Sequence, residues 1–327
     1  MRILKRVLIS ILTIFIIISI SFLMVHKMPG NPLEHIVGQE RYFELAYEDP
    51  EMLDIIAAKY GLDQPLSVQY VNYLKSVINL DFGIAYSNHK PVIQNVLNSC
   101  KWTLILSIPT FIIGGLLGAL MGMAAGWRPG GTFDKIMTPV MLFLNTIPTN
   151  CIGIIFMVIF AFRLRWFPIG GMTTGGLSGF AKVLDIVHHA VLPVFLLVLF
   201  RTAANYLNVK SNVSLVRNEE YIVTAYSKGL SSKGVLRKHV VKNALLPYVT
   251  TLCMQLGNLL SGSMMLEVIF GWRGMGQLFY TAVNTRDFPT AQLCFLISAI
   301  CIVLATLLSD IVIGIIDPRI KEGLHEY

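Results

Sequence analysis

Charged side chains are scarce in this chain. Only 14% of its 327 residues are Asp, Glu, Lys or Arg, whereas 54% are hydrophobic and the mean hydropathy is +0.65. Soluble globular domains carry about 25% charged residues, so the composition excludes an ordinary water-soluble protein. It predicts an all-α membrane protein that crosses the bilayer several times.

Paired cysteines are also lacking. The five cysteines are scattered along the chain and no two are spaced as CxxC. This pattern excludes a disulfide framework and a zinc site, and we expect no metal ligands among them. They are predicted to be packing residues: Cys100, Cys151, Cys253, Cys294 and Cys301.

Motifs for nucleotide binding and hydrolysis are missing too. The chain contains no GxxxxGK[ST] loop, no HExxH and no GxSxG. The first motif binds phosphates, and the other two carry metal-dependent and serine hydrolysis. We therefore expect a chain that is not an enzyme by itself and binds no cofactor. An intramembrane enzyme is an alternative, but no paired catalytic motif in the sequence supports it.

Long apolar runs dominate what is present. About 20 helical residues cross the hydrocarbon layer. Six segments meet that length, at 7–26, 102–125, 136–162, 187–209, 247–270 and 290–316. The first is too long for a cleaved signal peptide, which predicts a retained helix over 1–26. Kinks or broken turns are predicted at five prolines: Pro109, Pro139, Pro148, Pro193 and Pro247.

The distribution of Lys and Arg predicts the orientation. Four short segments (1–6, 126–135, 210–243 and 317–327) hold 14 of them in 61 residues, against 11 in the 119 residues of the other three loops. The positive-inside rule then places both termini in the cytoplasm. Since this topology accounts for the net charge of +7, we expect no nucleic-acid partner.

The longest outer segment is residues 27–101. Its eight carboxylates between Glu34 and Lys75, with helical patterning around Met52 and Ile55 closed by Gly61, predict a small extracytoplasmic helical cap. Two interpretations stay open for its acidity. It is either a solvated face or a surface that receives an external partner.

Residues 210–246 are hydrophilic yet strongly patterned. Asn218 is predicted to cap a short helix that ends at Gly229, and Ser231 or Ser232 to cap a second helix. Pro247 then opens the fifth span. The segment is too basic to lie in hydrocarbon because of Lys228, Lys233, Arg237, Lys238 and Lys242. Such a helix-Gly-helix unit is predicted to be a cytoplasmic loop that docks a partner.

Twelve residues of this loop fit the pattern TARAKGLS...V..RH.L.NAL.P. They are Thr224, Ala225, Lys228, Gly229, Leu230, Ser231, Val235, His239, Asn243, Ala244, Leu245 and Pro247. Further matches lie at 29–32, 60–70, 81–83, 267–276, 286–289 and 317–320. In these features the chain resembles the B-type permease subunits of the dipeptide/oligopeptide/nickel family of bacterial ABC importers. Tyr226, Ser227 and Trp272-Arg273 depart from the family pattern.

The resemblance implies a type I ABC importer transmembrane domain with six transmembrane helices, over residues 94–317, followed by a cytoplasmic tail at 318–327. It implies a multi-pass subunit of the bacterial cytoplasmic membrane. The implied partners are a companion C-type permease, two ABC ATPases that bind ATP and Mg, a substrate-binding protein outside, and the lipid bilayer. Loop 210–246 would then couple the permease to the ATPases.

The resemblance also implies roles for particular residues. Those expected in ATPase coupling are Tyr221, Thr224, Ala225, Lys228, Gly229, Leu230 and Ser231. Those expected to support the loop are Arg237, His239, Asn243 and Pro247. Candidates for the pathway or a gate are Arg201, Glu267, Arg273 and Asp287.

Arg201 lies within the fourth span, where a charge is costly. It either forms a structural ion pair, with Asp310 as a candidate partner, or lines the pathway. His188 and His189 are expected to be interfacial side chains rather than metal ligands. Gly257, Ser261 and Gly262 are predicted to permit close helix packing.

Peptides are the favoured substrates, while nickel, a metallophore complex or a glutathione-like peptide are also compatible with the family. A proton-coupled secondary transporter is the alternative from another class. It would need inverted repeats or several buried carboxylates and would need no ATPase dock.

Overall fold

The computed structural model describes residues 2–27, 31–261 and 263–316. The matches predicted at 29–30 and 317–320, Gly262 and the tail at 318–327 lie outside the described residues. Within those ranges the chain is built of helices, and the only β-type pairing there is an isolated bridge between Ile84 and Pro91.

The helices follow one another through short loops. They are α1 (Arg2–Lys27), α2 (Pro32–Val37), α3 (Gln39–Glu48), α4 (Pro50–Lys59), α5 (Leu66–Asn79), α6 (Val92–Trp127), α7 (Thr132–Thr146), α8 (Thr149–Phe156), α9 (Gly179–Arg217), α10 (Glu220–Ser227), α11 (Ser232–Val235), α12 (Val241–Gly257), α13 (Met264–Ile269), α14 (Met275–Asn284) and α15 (Phe288–Ile316). Two π-helical segments, Met157–Arg163 and Leu236–Val240, extend α8 and join α11 to α12.

Four helices in the described ranges are long and apolar enough to cross a membrane. The spans are Lys5–Leu23, Val92–Trp127, Gly179–Arg217 and Phe288–Ile315. A fifth results if α7 and the α8 segment Thr149–Arg163, bent by 97° against each other, are counted together. The span predicted at 247–270 is instead divided into α12 and α13 by a turn after Gly257.

A break in the helix is confirmed at one of the five prolines. Only Pro148 coincides with a break, between α7 and α8, whereas Pro109, Pro139, Pro193 and Pro247 lie inside single helices. Pro247 therefore does not open a helix.

The largest helix contact joins α6 to α9. Four glycines on α6, spaced by four residues, face α9: Gly114, Gly118, Gly122 and Gly126. A Cβ on Gly122 would lie 2.6 Å from the carbonyl oxygen of Tyr206, and one on Gly126 would lie 2.8 Å from that of Lys210. The two backbones thus approach closely because α6 lacks side chains there. Our sequence reasoning missed this stripe, although its spacing was a readable signal.

The outer segment consists of α2 to α5. Asn31 caps α2 by accepting from the Leu33 N–H at 3.0 Å, and Asp49 caps α4 by accepting from the Met52 N–H at 3.3 Å. The Tyr70 hydroxyl on α5 lies 2.6 Å from that of Ser19 on α1. This bond joins α5 to α1.

Candidate coupling surface and transport cavity

The predicted helix-Gly-helix unit consists of α10, a turn and α11. Gly229 ends α10 with φ at +81°, a left-handed conformation that glycine adopts without Cβ strain. Its N–H donates to the Tyr226 carbonyl at 2.8 Å. Ser231 caps α11 by accepting from the Gly234 N–H at 3.2 Å, as predicted. The predicted Asn218 cap is wrong, because α9 continues to Arg217 and Glu219 precedes α10.

One face of this unit is buried against the membrane helices. Its core consists of Val209, Val213, Ile222, Ala225, Val235, Val240, Ala244 and Tyr248. These residues come from α9, α10, α11, the π-helical segment Leu236–Val240 and α12, so the unit shares one apolar core with two membrane helices. A displacement of the unit is therefore transmitted directly to α9 and α12, because packed interiors resist compression.

The opposite face of the unit is exposed. Tyr221, Val223 and Tyr226 present apolar surface there, with Val223 66% exposed. Of the other predicted coupling residues, Thr224, Lys228, Gly229 and Ser231 are exposed, Leu230 is half-buried and Ala225 is buried in the shared core. Apolar side chains within a basic surface are typical of an interaction patch. We call the exposed set Tyr221, Val223, Thr224, Tyr226, Lys228 and Gly229 the coupling surface.

The predicted supporting residues differ in their placement. Asn243 donates from Nδ2 to the Tyr221 hydroxyl at 2.8 Å, which holds α10 against α12. Arg237 is exposed and His239 half-buried, both in the π-helical segment. Pro247 is exposed within α12.

An ion pair beside this unit was not predicted. Lys210 Nζ lies 2.5 Å from Asp134 Oδ1 and donates to the Thr138 hydroxyl at 2.7 Å. Asp134 also accepts from Thr138 at 2.7 Å and from the Gly130 N–H at 2.9 Å. Lys210 was assigned to the loop, but it lies within α9 and ties this helix to α7.

A cavity of about 710 Å³ lies between α6, α8, α9 and the turn after α12. Its polar lining consists of Thr110, Thr149, Asn150, Arg201, Asn258, Ser261 and Ser263. Among the described lining residues Arg201 alone is charged. The predicted alternative of an Arg201–Asp310 pair is wrong, because Asp310 lies 2.9 Å from Arg6 instead. Within the described ranges no carboxylate lies within 4.0 Å of the Arg201 guanidinium.

Glu267 is fully buried and holds the loop that precedes α14. Its Oε1 accepts from the hydroxyls of Thr103 at 2.8 Å and Ser263 at 2.7 Å, and its Oε2 accepts from the Gln277 N–H at 3.1 Å. Thr103 belongs to α6. The carboxylate therefore joins α6, α13 and α14.

Trp272, which departs from the family pattern, has a structural role. Its indole is fully buried, donates to the Trp102 carbonyl at 2.8 Å and packs edge to face on the Trp102 ring at 5.8 Å. Arg273 beside it is exposed. The segment is thus anchored on α6 at two points, Glu267 and Trp272, and exposed Arg273 follows the second.

Asp287 ties α15 to the segment that follows α5. Its Oδ2 accepts from the N–H and the hydroxyl of Ser87, at 3.2 and 2.8 Å, and its Oδ1 accepts from the Thr290 N–H at 3.4 Å. Burial, together with the Asp287 charge, raises the pKa of Tyr86 beside it. Asp287 is 1% exposed, so it acts here as a structural contact between two segments.

The adjacent histidines have local partners. His188 Nε2 lies 3.0 Å from the Trp166 carbonyl oxygen, and His189 Nδ1 lies 2.8 Å from that of Asp185. Asp185 accepts in turn from Thr173 and from Thr174. These bonds close the loop between the α8 segment and α9.

Comparisons with known proteins agree with this geometry. Residues 114–322 match the family described as "binding-protein-dependent transport system inner membrane component", and residues 1–107 match the N-terminal region of such membrane components. The chain belongs to this family of inner-membrane permease components, with a type I ABC importer transmembrane fold. The predicted family, all-α type I importer fold, permease function and membrane location are thereby confirmed, while the count of six spans and the cytoplasmic termini stay predictions.

Individual relatives match over nearly their whole lengths. The oligopeptide transport system permease of Bacillus subtilis is 32% identical over 320 residues, covering 98% of both chains. The dipeptide transport system permease of Lactococcus lactis is 30% identical, and the glutathione transport system permease of Salmonella typhi 32%, each again over 98% of both chains. A permease of this family works with ATPase subunits and a substrate-binding protein.

Proposed function

We propose that this chain forms half of the translocation path of an importer for di- and oligopeptides, paired with a companion C-type permease. The observation that carries the proposal is the coupling surface, whose buried side is continuous with the core of α9 and α12. The peptide substrate is supported by the names of relatives that match 98% of this chain.

Coupling follows from the shared core. Closure of two cytoplasmic ATPases on ATP and Mg moves the coupling surface, and α9 and α12 move with it. Such rigid-body movement switches a bistable assembly between inward-open and outward-open states. This chain supplies contacts for the movement, and the ATPases supply the hydrolytic groups. In this arrangement both termini and loop 210–246 face the cytoplasm, and residues 94–317 form the moving domain.

The four candidate pathway residues receive different roles. Arg201 lines the cavity and meets the substrate. Glu267 fixes the loop before α14, so that exposed Arg273 is presented at the outer side. Asp287 holds the outer segment 27–101 on α15 and positions it as a cap that receives the binding protein.

Uptake by the complete importer tests this proposal. This chain, the companion permease, both ATPases and the binding protein are placed in vesicles, and ATP-dependent uptake of a labelled tripeptide is measured with nickel complexes as competitors. Peptide uptake that requires ATP and resists nickel competition is expected. Uptake of a nickel complex alone would overturn the peptide substrate, and ATP-independent transport by this chain would overturn the importer mechanism.

A further inference from the structure

The cavity around Arg201 lies where two helices are broken. Thr149 and Asn150 begin α8, directly after the 97° bend, and Asn258 and Ser261 belong to the turn between α12 and α13. Broken helices expose backbone donors and acceptors, which within a membrane are tolerated where they line a cavity or pack inside protein. Discontinuous helices of this kind form substrate sites in other transporters.

Arg201 is held in place by its stem. A Cβ on Gly114 would lie 2.8 Å from Cβ and from Cγ of Arg201, so the stem occupies the space that this glycine leaves free. The neighbouring Tyr248 hydroxyl is engaged elsewhere, since it donates to the Gly115 carbonyl at 2.8 Å. The stem is thereby packed against α6, and Arg201 lines the cavity.

The lining of the cavity favours a negatively charged ligand. Arg201 is its single cation, and the other described polar groups are hydroxyls and amides without a carboxylate. The N-terminal end of α8, at Thr149 and Asn150, also borders the cavity, and the positive end of a helix dipole favours an anion. A guanidinium with a planar fork of donors matches a carboxylate in geometry and charge.

We propose that Arg201 binds the C-terminal carboxylate of the transported peptide inside this cavity. This inference rests on the proposed peptide function and adds a recognition step within the membrane, after delivery by the binding protein. The volume of about 710 Å³ lies within the usual range for small-ligand sites, so a short peptide fits if the path continues into the companion subunit.

The test compares a peptide with a free C-terminus and its C-terminal amide in the reconstituted complete importer. Uptake rates of both are measured for the wild type, Arg201→Gln and Arg201→Lys. Any preference of the binding protein for one of the two peptides cancels when the permease variants are compared, because the same binding protein serves every variant. Arg163→Gln, at an exposed arginine at the end of the α8 segment, is the matched control.

We expect Arg201→Gln to lower uptake of the free-carboxylate peptide at least about ten-fold while the amide changes much less. Arg201→Lys should retain part of the preference, and Arg163→Gln should retain all of it. Equal loss of uptake for both peptides in both Arg201 variants would overturn the inference, and it is the result expected if a carboxylate of the companion subunit pairs with Arg201. An unchanged ratio between the uptake rates of the two peptides would overturn it as well. If wild-type uptake requires ATP, the proposed function stands whichever ratio of uptake rates is found. Absence of any peptide uptake would overturn both the proposed function and the inference on Arg201.

Discussion

Thr103 stands between Glu267 and the backbone of Met275. Its hydroxyl donates to Glu267 Oε1 at 2.8 Å and accepts from the Met275 N–H at 2.7 Å. All three groups are buried. One hydroxyl on α6 thus satisfies a carboxylate of α13 and the first N–H of α14, and this relay determines where the loop before α14 sits.

Replacing Thr103 by valine should be costly although the shape is kept. The change removes both hydrogen bonds and leaves a buried acceptor and a buried N–H without this partner, at about 1–3 kcal/mol. We expect a lower midpoint of thermal unfolding for the purified complex and faster proteolysis near residues 272–277.

Thr110→Val is the control for that substitution. Thr110 is also buried on α6, but its hydroxyl donates to the Leu106 carbonyl one turn earlier in the same helix, at 2.7 Å. Loss of this local bond leaves no second group unpaired. Equal destabilisation by both valines would contradict the relay between Thr103 and Glu267.

The glycine stripe of α6 gives a second prediction. Gly122→Ala should destabilise the protein by about 1–3 kcal/mol, because its Cβ would meet the backbone carbonyl of Tyr206, which cannot rotate away. Gly115→Ala on the same helix should be neutral or stabilising. Its Cβ would make ordinary contacts at 3.5 Å with Leu252 and Tyr248. The thermal unfolding midpoints of the two variants test this prediction, and equal midpoints would contradict the close contact between α6 and α9.

Two local features of the coupling loop were readable from the sequence, although the Asn218 cap was not, and contacts between distant segments were not readable either. Gly229 and Ser231 were predicted correctly because a left-handed helix end and a hydroxyl cap depend on neighbouring residues alone. The partner of Asp310 was wrong because the choice between Arg6 and Arg201 depends on how α15 packs against α1. The Glu267 contacts depend in the same way on helices distant in sequence.

Span boundaries failed for a different physical reason. The hydrophobicity of 247–270 predicts one membrane helix, but the chain breaks after Gly257. There a Cβ would lie 2.9 Å from Ile302 Cα on α15, and in α13 Glu267 binds the Thr103 hydroxyl of α6 and the Gln277 N–H of α14. Tertiary contacts thus decide where the apolar segment is helical, and hydropathy carries no information on them.

Alkaline pH should reveal the burial of Tyr86. Because the pKa of Tyr86 is raised in the folded protein, its contribution to stability is complete below the unfolded pKa of about 10. Above that pH the unfolded state loses its proton first, so stability falls as pH rises towards the folded pKa. Unfolding midpoints measured between about pH 8 and 11 should fall less steeply for Tyr86→Phe than for the wild type. Tyr47→Phe, at a tyrosine that is 90% exposed, should follow the wild-type slope.

Gly229 provides the test of coupling. Valine is strongly disfavoured at φ +81°, and the distortion, of about 1–3 kcal/mol, falls on the turn that joins α10 to α11. A Cβ there meets no atom within 4 Å, so the membrane core stays intact. We expect Gly229→Val to insert and assemble normally while ATP-driven uptake falls at least about ten-fold and ATP hydrolysis no longer responds to the loaded binding protein.

Gly176→Val separates strain from coupling. Gly176 has a similar φ of +83°, also has open space at its Cβ position, and lies in the exposed loop before α9. It carries the same backbone penalty in a different turn, outside the coupling surface. If both valines reduced uptake equally, general strain would explain the loss and the coupling assignment would fall. Loss confined to Gly229→Val would place a step in the transmission of ATPase closure at the junction of α10 and α11, because that turn joins the helix that carries the coupling surface to the next helix of the core shared with α9 and α12.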